Sequence, residues 1–131
     1  MEKWKKVFEK QLPKAQYQVQ LQNGEEKGLV INLVSKESRF ELDFGSVSAV
    51  RMLEEGVALD NLFHGAEFED LKNTGFSNVI YQLDGGEFGA FIQKTSKGLY
   101  EYLELKHYVI VTMNYIIEII TQWEPEIKKR V

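Results

Sequence analysis

The side chains able to do chemistry are few: among 131 residues there are two histidines, no cysteine and twenty acidic residues. The lack of cysteine excludes thiolate nucleophiles, cysteine-bound zinc and a disulfide framework. His107, between Lys106 and Tyr108, could serve as a general base, a role that needs a carboxylate to orient the ring and a nucleophile to activate. No nucleophile is identifiable around it, and a strand histidine hydrogen-bonded near a sheet end is the simpler reading. His64 sits in HGAEFED beside Glu67, Glu69 and Asp70. One imidazole with no second histidine at helical spacing makes a poor metal site, so a solvated acidic loop is expected there, with no metal and no cofactor.

Other constellations say less. Glu54 and Glu55 are adjacent, and neighbouring strand residues point to opposite faces, so they form no acid-base dyad unless a turn reorients them. The glycines of DGGEFGAF at 84–91 are not followed by the Gly-Lys-Ser/Thr of a phosphate loop. No serine or threonine has a nucleophile-elbow or triad setting. No catalytic residue is assigned, and an enzyme is not expected. Arg51 and Glu118 are different: each is an isolated charge in an otherwise apolar run, and a charge taken out of water needs a partner. They are expected to pair with each other or with neighbours across a sheet, fixing strand register, or else to anchor a ligand or partner.

The element that must position His107 and Glu118 is the stretch Glu104 to Pro125, ELKHYVIVTMNYIIEIITQWEP. Its Val, Ile, Tyr, Thr and Trp suit a pleated strand, and Asn114 tolerates the positive φ of a tight turn. A hairpin turning at Met113-Asn114 places Thr112 opposite Tyr115, Val109 opposite Glu118 and His107 opposite Ile120. Both faces of the second strand are apolar, which predicts a place in the middle of a sheet covered on both sides. Glu124-Pro125 ends it.

Before the hairpin, Trp4, Val7, Phe8 and Leu12 lie on one helical stripe, predicting a helix over Glu2 to Leu12 stopped by Pro13. Ala15 to Gln22 alternates as a half-exposed strand, and a turn at Asn23-Gly24 leads into a second strand over Gly28 to Ser35. Arg39 to Leu53 reads as one strand bent at Gly45-Ser46. Val57 to Asn73 fits one or two short helices, Ser77 to Leu83 a strand, and Glu87 to Ser96 a helix closing at Gly98, after which Leu99, Tyr100, Tyr102 and Leu103 lead into the hairpin. The expected fold is α+β: a single-layer, mainly antiparallel sheet of about six strands carrying an N-terminal helix and short helices, as one domain over residues 1–131.

The opening MEKWKKVFEKQLP carries charge throughout and no apolar core, so a signal peptide is not expected, nor is a membrane span, since no run approaches the roughly 20 apolar residues required. A cytoplasmic protein is the default. The net charge of −4 is uneven. Between Lys36 and Lys72, nine acids stand against four bases, net −5, while lysines gather near the two ends. Such a middle disfavours nucleic acid and favours a basic protein partner.

The stretches LDFGSVSAVRMLEEG, Leu42 to Gly56, and HYVIVTMNYIIEIITQWEP, His107 to Pro125, resemble the immunity proteins that Gram-positive bacteria encode beside secreted polymorphic toxins. What the resemblance implies is a cytoplasmic antitoxin that binds and blocks a cognate toxin domain. An acidic surface would suit a basic, nuclease-like toxin, with Glu54, Glu55, Asp60, Glu67, Glu69 and Asp70 as the expected interface. Such a chain would be a monomer or weak dimer. The alternatives are a small-ligand-binding or enzymatic domain with a pocket near His107 and Tyr108, and a structural subunit that oligomerises through the glutamine-rich strand Ala15 to Gln22.

Overall fold

A computed structural model describes residues 1–97 and 104–130. The predicted helix end at Gly98 and the lead-in from Leu99 to Leu103 lie outside the described residues. In chain order the described elements are β1 (Lys3–Val7), β2 (Gln18–Gly24), β3 (Gly28–Val34), β4 (Arg39–Gly45), β5 (Ala49–Glu54), α1 (Glu55–Asn61) and α2 (Ala66–Asn73). They continue with β6 (Ile80–Asp84), α3 (Glu87–Thr95), β7 (Lys106–Val111), β8 (Tyr115–Thr121) and β9 (Glu126–Arg130).

The strands form two antiparallel sheets, the first ordered β1-β6-β7-β8-β5 and the second β2-β3-β4-β9. The hairpin β7-β8 is central to the first sheet, in the register its sequence predicts: Val109 opposite Glu118 and His107 opposite Ile120. Its turn is closed by Thr112, whose backbone N–H and hydroxyl both donate to the Tyr115 carbonyl, at 3.0 and 2.9 Å. One face of the hairpin, with Tyr108, Ile110, Ile117 and Ile119, packs on Leu29, Ile31, Leu33, Phe40, Leu42 and Phe44 of the second sheet. The other, with Val109, Val111 and Ile116, packs on Ala58, Phe63 and Phe68 of the helical layer. Apolar residues on both sides of β8 are what a middle layer requires.

The single-layer, six-strand expectation is therefore corrected to two sheets and nine strands among the described residues. Arg39 to Leu53 is the main cause. It is two strands: β4 ends at Gly45, with φ of 65°, and the chain crosses to the first sheet, where Ser48 donates to the Ile120 carbonyl at 2.8 Å before β5 begins. The glycine lies at a register shift in the β3-β4 ladder, where Leu29 opposes Gly45 and Val30 opposes Asp43, and it also marks the change of sheet.

The N-terminal helix is also corrected, because Lys3 to Val7 is a strand on β6. Trp4 and Val7 share a helical face but lie on opposite faces of a strand, and both faces are covered here. Trp4 stacks among Phe63, Phe68 and Tyr81 with centroids 5.1 to 5.9 Å away, while Val7 and Phe8 enter the core between the sheets. Phe8, at φ 57°, reverses the chain, and Leu12 donates to its carbonyl at 3.0 Å. β9 was not foreseen, because EIKKR offers one apolar residue. It is held by β4, with Ile127 opposite Leu42 and Arg130 bonded to Glu41 at 2.8 Å. The glutamine-rich strand keeps its predicted faces as an edge strand, β2, with Gln18, Gln20 and Gln22 exposed.

Two consequences can be measured. Gly28 has φ of +71°, and a Cβ there would collide with the Gly45 carbonyl. Gly28→Ala should lower unfolding free energy by about 3 kcal/mol in urea titration, since both strain and backbone clash oppose it. Burial raises the pKa of Tyr17 and Tyr81, and pushes that of Tyr108 up to about 12, with Glu124 adding to the effect. The folded state thus favours the neutral phenol. This stabilisation is whole below the ordinary tyrosine value and is lost as pH rises from about 10 towards about 12. The midpoint temperature should fall across that window, and less steeply in Tyr108→Phe.

Candidate functional site

On the helix-facing side of the first sheet the apolar packing gives way to three charged or polar side chains. Arg51 on β5 lies directly opposite Glu118 on β8. His107 on β7 is the diagonal neighbour of Glu118, because Glu118 opposes Val109 and His107 opposes Ile120. Arg51 Nε donates to Glu118 Oε2 at 2.6 Å, and Nη2 of the same guanidinium pairs with that oxygen. Glu118 Oε1 faces His107 Nε2 at 2.9 Å. Each carboxylate oxygen thus has its own partner, as a side chain only 2% exposed demands. Phe88 of α3 closes the group from above, with the Arg51 guanidinium 4.5 Å from its ring centroid and the imidazole edge-on at 6.0 Å.

Glu118 accepts from both neighbours, so His107 Nε2 carries a hydrogen. Nδ1 is buried and has no hydrogen-bond partner among the described residues. The first turn of α3 lies against this edge of the ring without side chains. A Cβ on Gly86 would stand 2.9 Å from His107 Cε1 and 3.0 Å from Nδ1, and one on Gly89 3.5 Å from Nδ1. Gly86 is the N-cap of α3, and no side chain caps the helix.

Beyond this edge the sheet opens. The β6-β7 ladder ends at Gln82 opposite Tyr108; β6 continues to Asp84 along β1, and β7 reaches back to Lys106 along β8. The gap holds a cleft of about 510 Å³ whose lining includes Lys3, Lys5, Asp84, Gln93, Lys106 and His107. Tyr108, expected near such a pocket, faces the other way, into the core between the sheets.

The acidic residues lie elsewhere. Glu54 closes β5, Glu55 opens α1, Asp60 lies in its last turn, and Glu67, Glu69 and Asp70 belong to α2. α1 is tied to the hairpin turn by Glu55 N–H donating to the Asn114 carbonyl at 2.9 Å. Glu67 accepts from Trp4 N–H at 2.7 Å, and Asp60 lies 3.7 Å from Lys72. Glu54, Asp60, Glu67, Glu69 and Asp70 are exposed. His64 is exposed in the α1-α2 connection, and its backbone N–H donates to Glu2 Oε1 at 3.0 Å. Among the described residues no group of three or more His, Cys, Asp or Glu could hold a metal ion, and no helix is long and apolar enough to cross a membrane.

Sequence reasoning expected Arg51 and Glu118 to pair across the sheet, as they do, took His107 apart from them, and missed Phe88, Gly86 and Gly89. The glycines were visible in DGGEFGAF at 84–91, but nothing local placed that stretch against His107. No family model matches the chain, and neither a curated protein nor a solved structure matches it.

The charge group has a direct test. Glu118→Ala leaves a guanidinium and an imidazole without their shared anion, and urea titration should show a loss of about 3–5 kcal/mol. Replacing all three by Arg51→Met, Glu118→Leu and His107→Phe should recover most of that loss, since no buried charge is then left unpaired.

Proposed function

We propose that this chain is an immunity protein, which binds a cognate secreted toxin domain in the cytoplasm and neutralises it through the acidic helical layer. The observation that carries the reading is the composition of that layer. α1 and α2 present Glu55, Asp60, Glu67, Glu69 and Asp70 with Lys72 as their base, and Glu54 adjoins them. Apolar side chains are exposed in the same region: Val57 on α1 at 54%, and Met113 and Tyr115 at the hairpin turn at 39% and 37%. Tyr115 is the direct cross-strand partner of Glu54. Apolar and aromatic contacts bordered by like charge suit a protein partner of opposite charge, with the charges speeding encounter and the apolar groups slowing release. A nuclease domain, whose cleft must attract phosphate, has the surface such a layer complements. The resemblance of Leu42 to Gly56 and His107 to Pro125 to immunity proteins points to the same class.

A second reading, a small-ligand-binding or enzymatic domain, is favoured by one observation, the unpartnered Nδ1 of His107 at the cleft.

The test is binding to the C-terminal domain of the protein encoded next to this one. A stable complex is expected, and Glu55→Lys with Glu69→Lys should slow association at low salt by roughly tenfold or more with a smaller change in dissociation. Absence of a complex sinks the immunity reading, whereas a complex whose association ignores both substitutions removes only the acidic layer from it.

A further inference from the structure

We propose that the cleft at the N-terminus of α3 is a binding site for a small molecule carrying an oxyanion, a phosphate or a carboxylate, received by His107 Nδ1 and the first-turn amides of the helix. It uses a different set of residues from the acidic layer. Three independent features converge on it. The first is the imidazole: the His107 side chain is 7% exposed, Nε2 is engaged by Glu118 at 2.9 Å, and buried Nδ1 has no partner among the described residues. A buried polar atom left unpaired is unfavourable, and this one lies at a cleft rather than within the core. The second is α3, nine residues long with Gly86 as N-cap and no side-chain cap, so its first-turn N–H groups remain available to an anion. The third is charge: among the described residues Lys3, Lys5 and Lys106 line the cleft against one acid, Asp84.

The glycines let the start of α3 approach the ring closely. Gly86 has φ of −79°, open to any residue, so the absence of a side chain there concerns space. A Cβ would stand 2.6 Å from Leu83 Cδ2 as well as 2.9 Å from the imidazole. An oxyanion in this cradle would accept from the Nδ1 side of the ring, while Nε2 is held by Glu118. Arg51 holds the far oxygen of Glu118 and fixes the ring's orientation through it. The cleft's volume of about 510 Å³ is that of a site for a small molecule rather than a single ion.

The experiment follows the Cε1–H resonances of the two histidines in the whole chain by NMR, during titration with inorganic phosphate and, in parallel, sodium acetate at constant pH and ionic strength. His107 should shift saturably across the millimolar range, while His64, exposed on its loop, stays as in chloride. The anion with the lower half-saturation identifies phosphate or carboxylate as the ligand group. Gly86→Ala should abolish the response. Gly89→Ala, whose Cβ meets Nδ1 at an ordinary contact distance of 3.5 Å and suits a helix, covers the nitrogen without forcing Leu83 aside and should weaken it at least fivefold in a folded protein. A His107 resonance indifferent to both anions, a shift that His64 shares, or a response undiminished in Gly89→Ala overturns the proposal.

Discussion

Glu118 is a carboxylate in the middle of the most apolar strand of the molecule, on the central strand pair of the middle layer, and much of the architecture follows from keeping it satisfied. A one-residue slip of β8 against its neighbours would turn every side chain to the opposite face. It would carry Glu118 from beside Arg51 and His107 into the core between the sheets, among Leu, Ile and Phe side chains that offer it nothing. Removing a carboxylate from water without a partner costs several kcal/mol, so the pairing across β5, β8 and β7 selects register as firmly as the alternation of isoleucines does. It also places α3. Phe88 covers Arg51 and His107 together, which brings the glycine-rich first turn of that helix against the imidazole.

The helix-facing side of the first sheet is therefore divided. Over one half, α1 and α2 cover Val109, Val111, Ile116 and Tyr81 with Phe63, Phe68 and Ala58, a wholly apolar contact. Over the other, α3 covers the charge group and contributes one buried residue, Phe88. The two halves leave different outer surfaces. Helices anchored by apolar inner faces are free to carry carboxylates outward, as α2 does with Glu67, Glu69 and Asp70 around buried Phe68. The helix seated on the charge group by its first turn places Gly86 and Gly89 in the lining of a cleft.

How far this was legible in the sequence varies with the range of the interactions. The hairpin's alternation and register could be read because they are local, but the positive φ expected at Asn114 is not there: the non-glycine residues with positive φ are Phe8, Phe76 and Lys97 among the described residues. That register already held the diagonal of His107 and Glu118, since fixing Val109 opposite Glu118 places His107 two residues away on the same face. The second sheet could not be read, because a strand covered by another sheet and one covered by helices show the same alternation, and only the change of sheet at Gly45 tells them apart. Trp4 and Val7 misled for a related reason: three-residue spacing means one face in a helix and two faces in a strand, and only a layer on each side makes the second reading acceptable. β9 depends on what β4 offers it, which no pattern within EIKKR contains. The cleft depends on where the β6-β7 ladder stops, and that is set by β1 drawing β6 away at Leu83 and Asp84.

Glu118 and His107 share a hydrogen bond but differ in completeness, and the difference is informative. Glu118 is satisfied at both oxygens, by Arg51 and by His107. His107 is satisfied at one nitrogen and not at the other, although a side chain able to bond Nδ1 could have come from the turn that packs against it. That turn instead carries Gly86 and Gly89, the two positions at which any side chain would have covered the nitrogen. An unpaired buried group costs about 1–3 kcal/mol, a cost that a hydrogen-bonding partner recovers and a bare cover does not. It stands uncompensated on a residue that lines the cleft, which is the opening the proposed ligand would use.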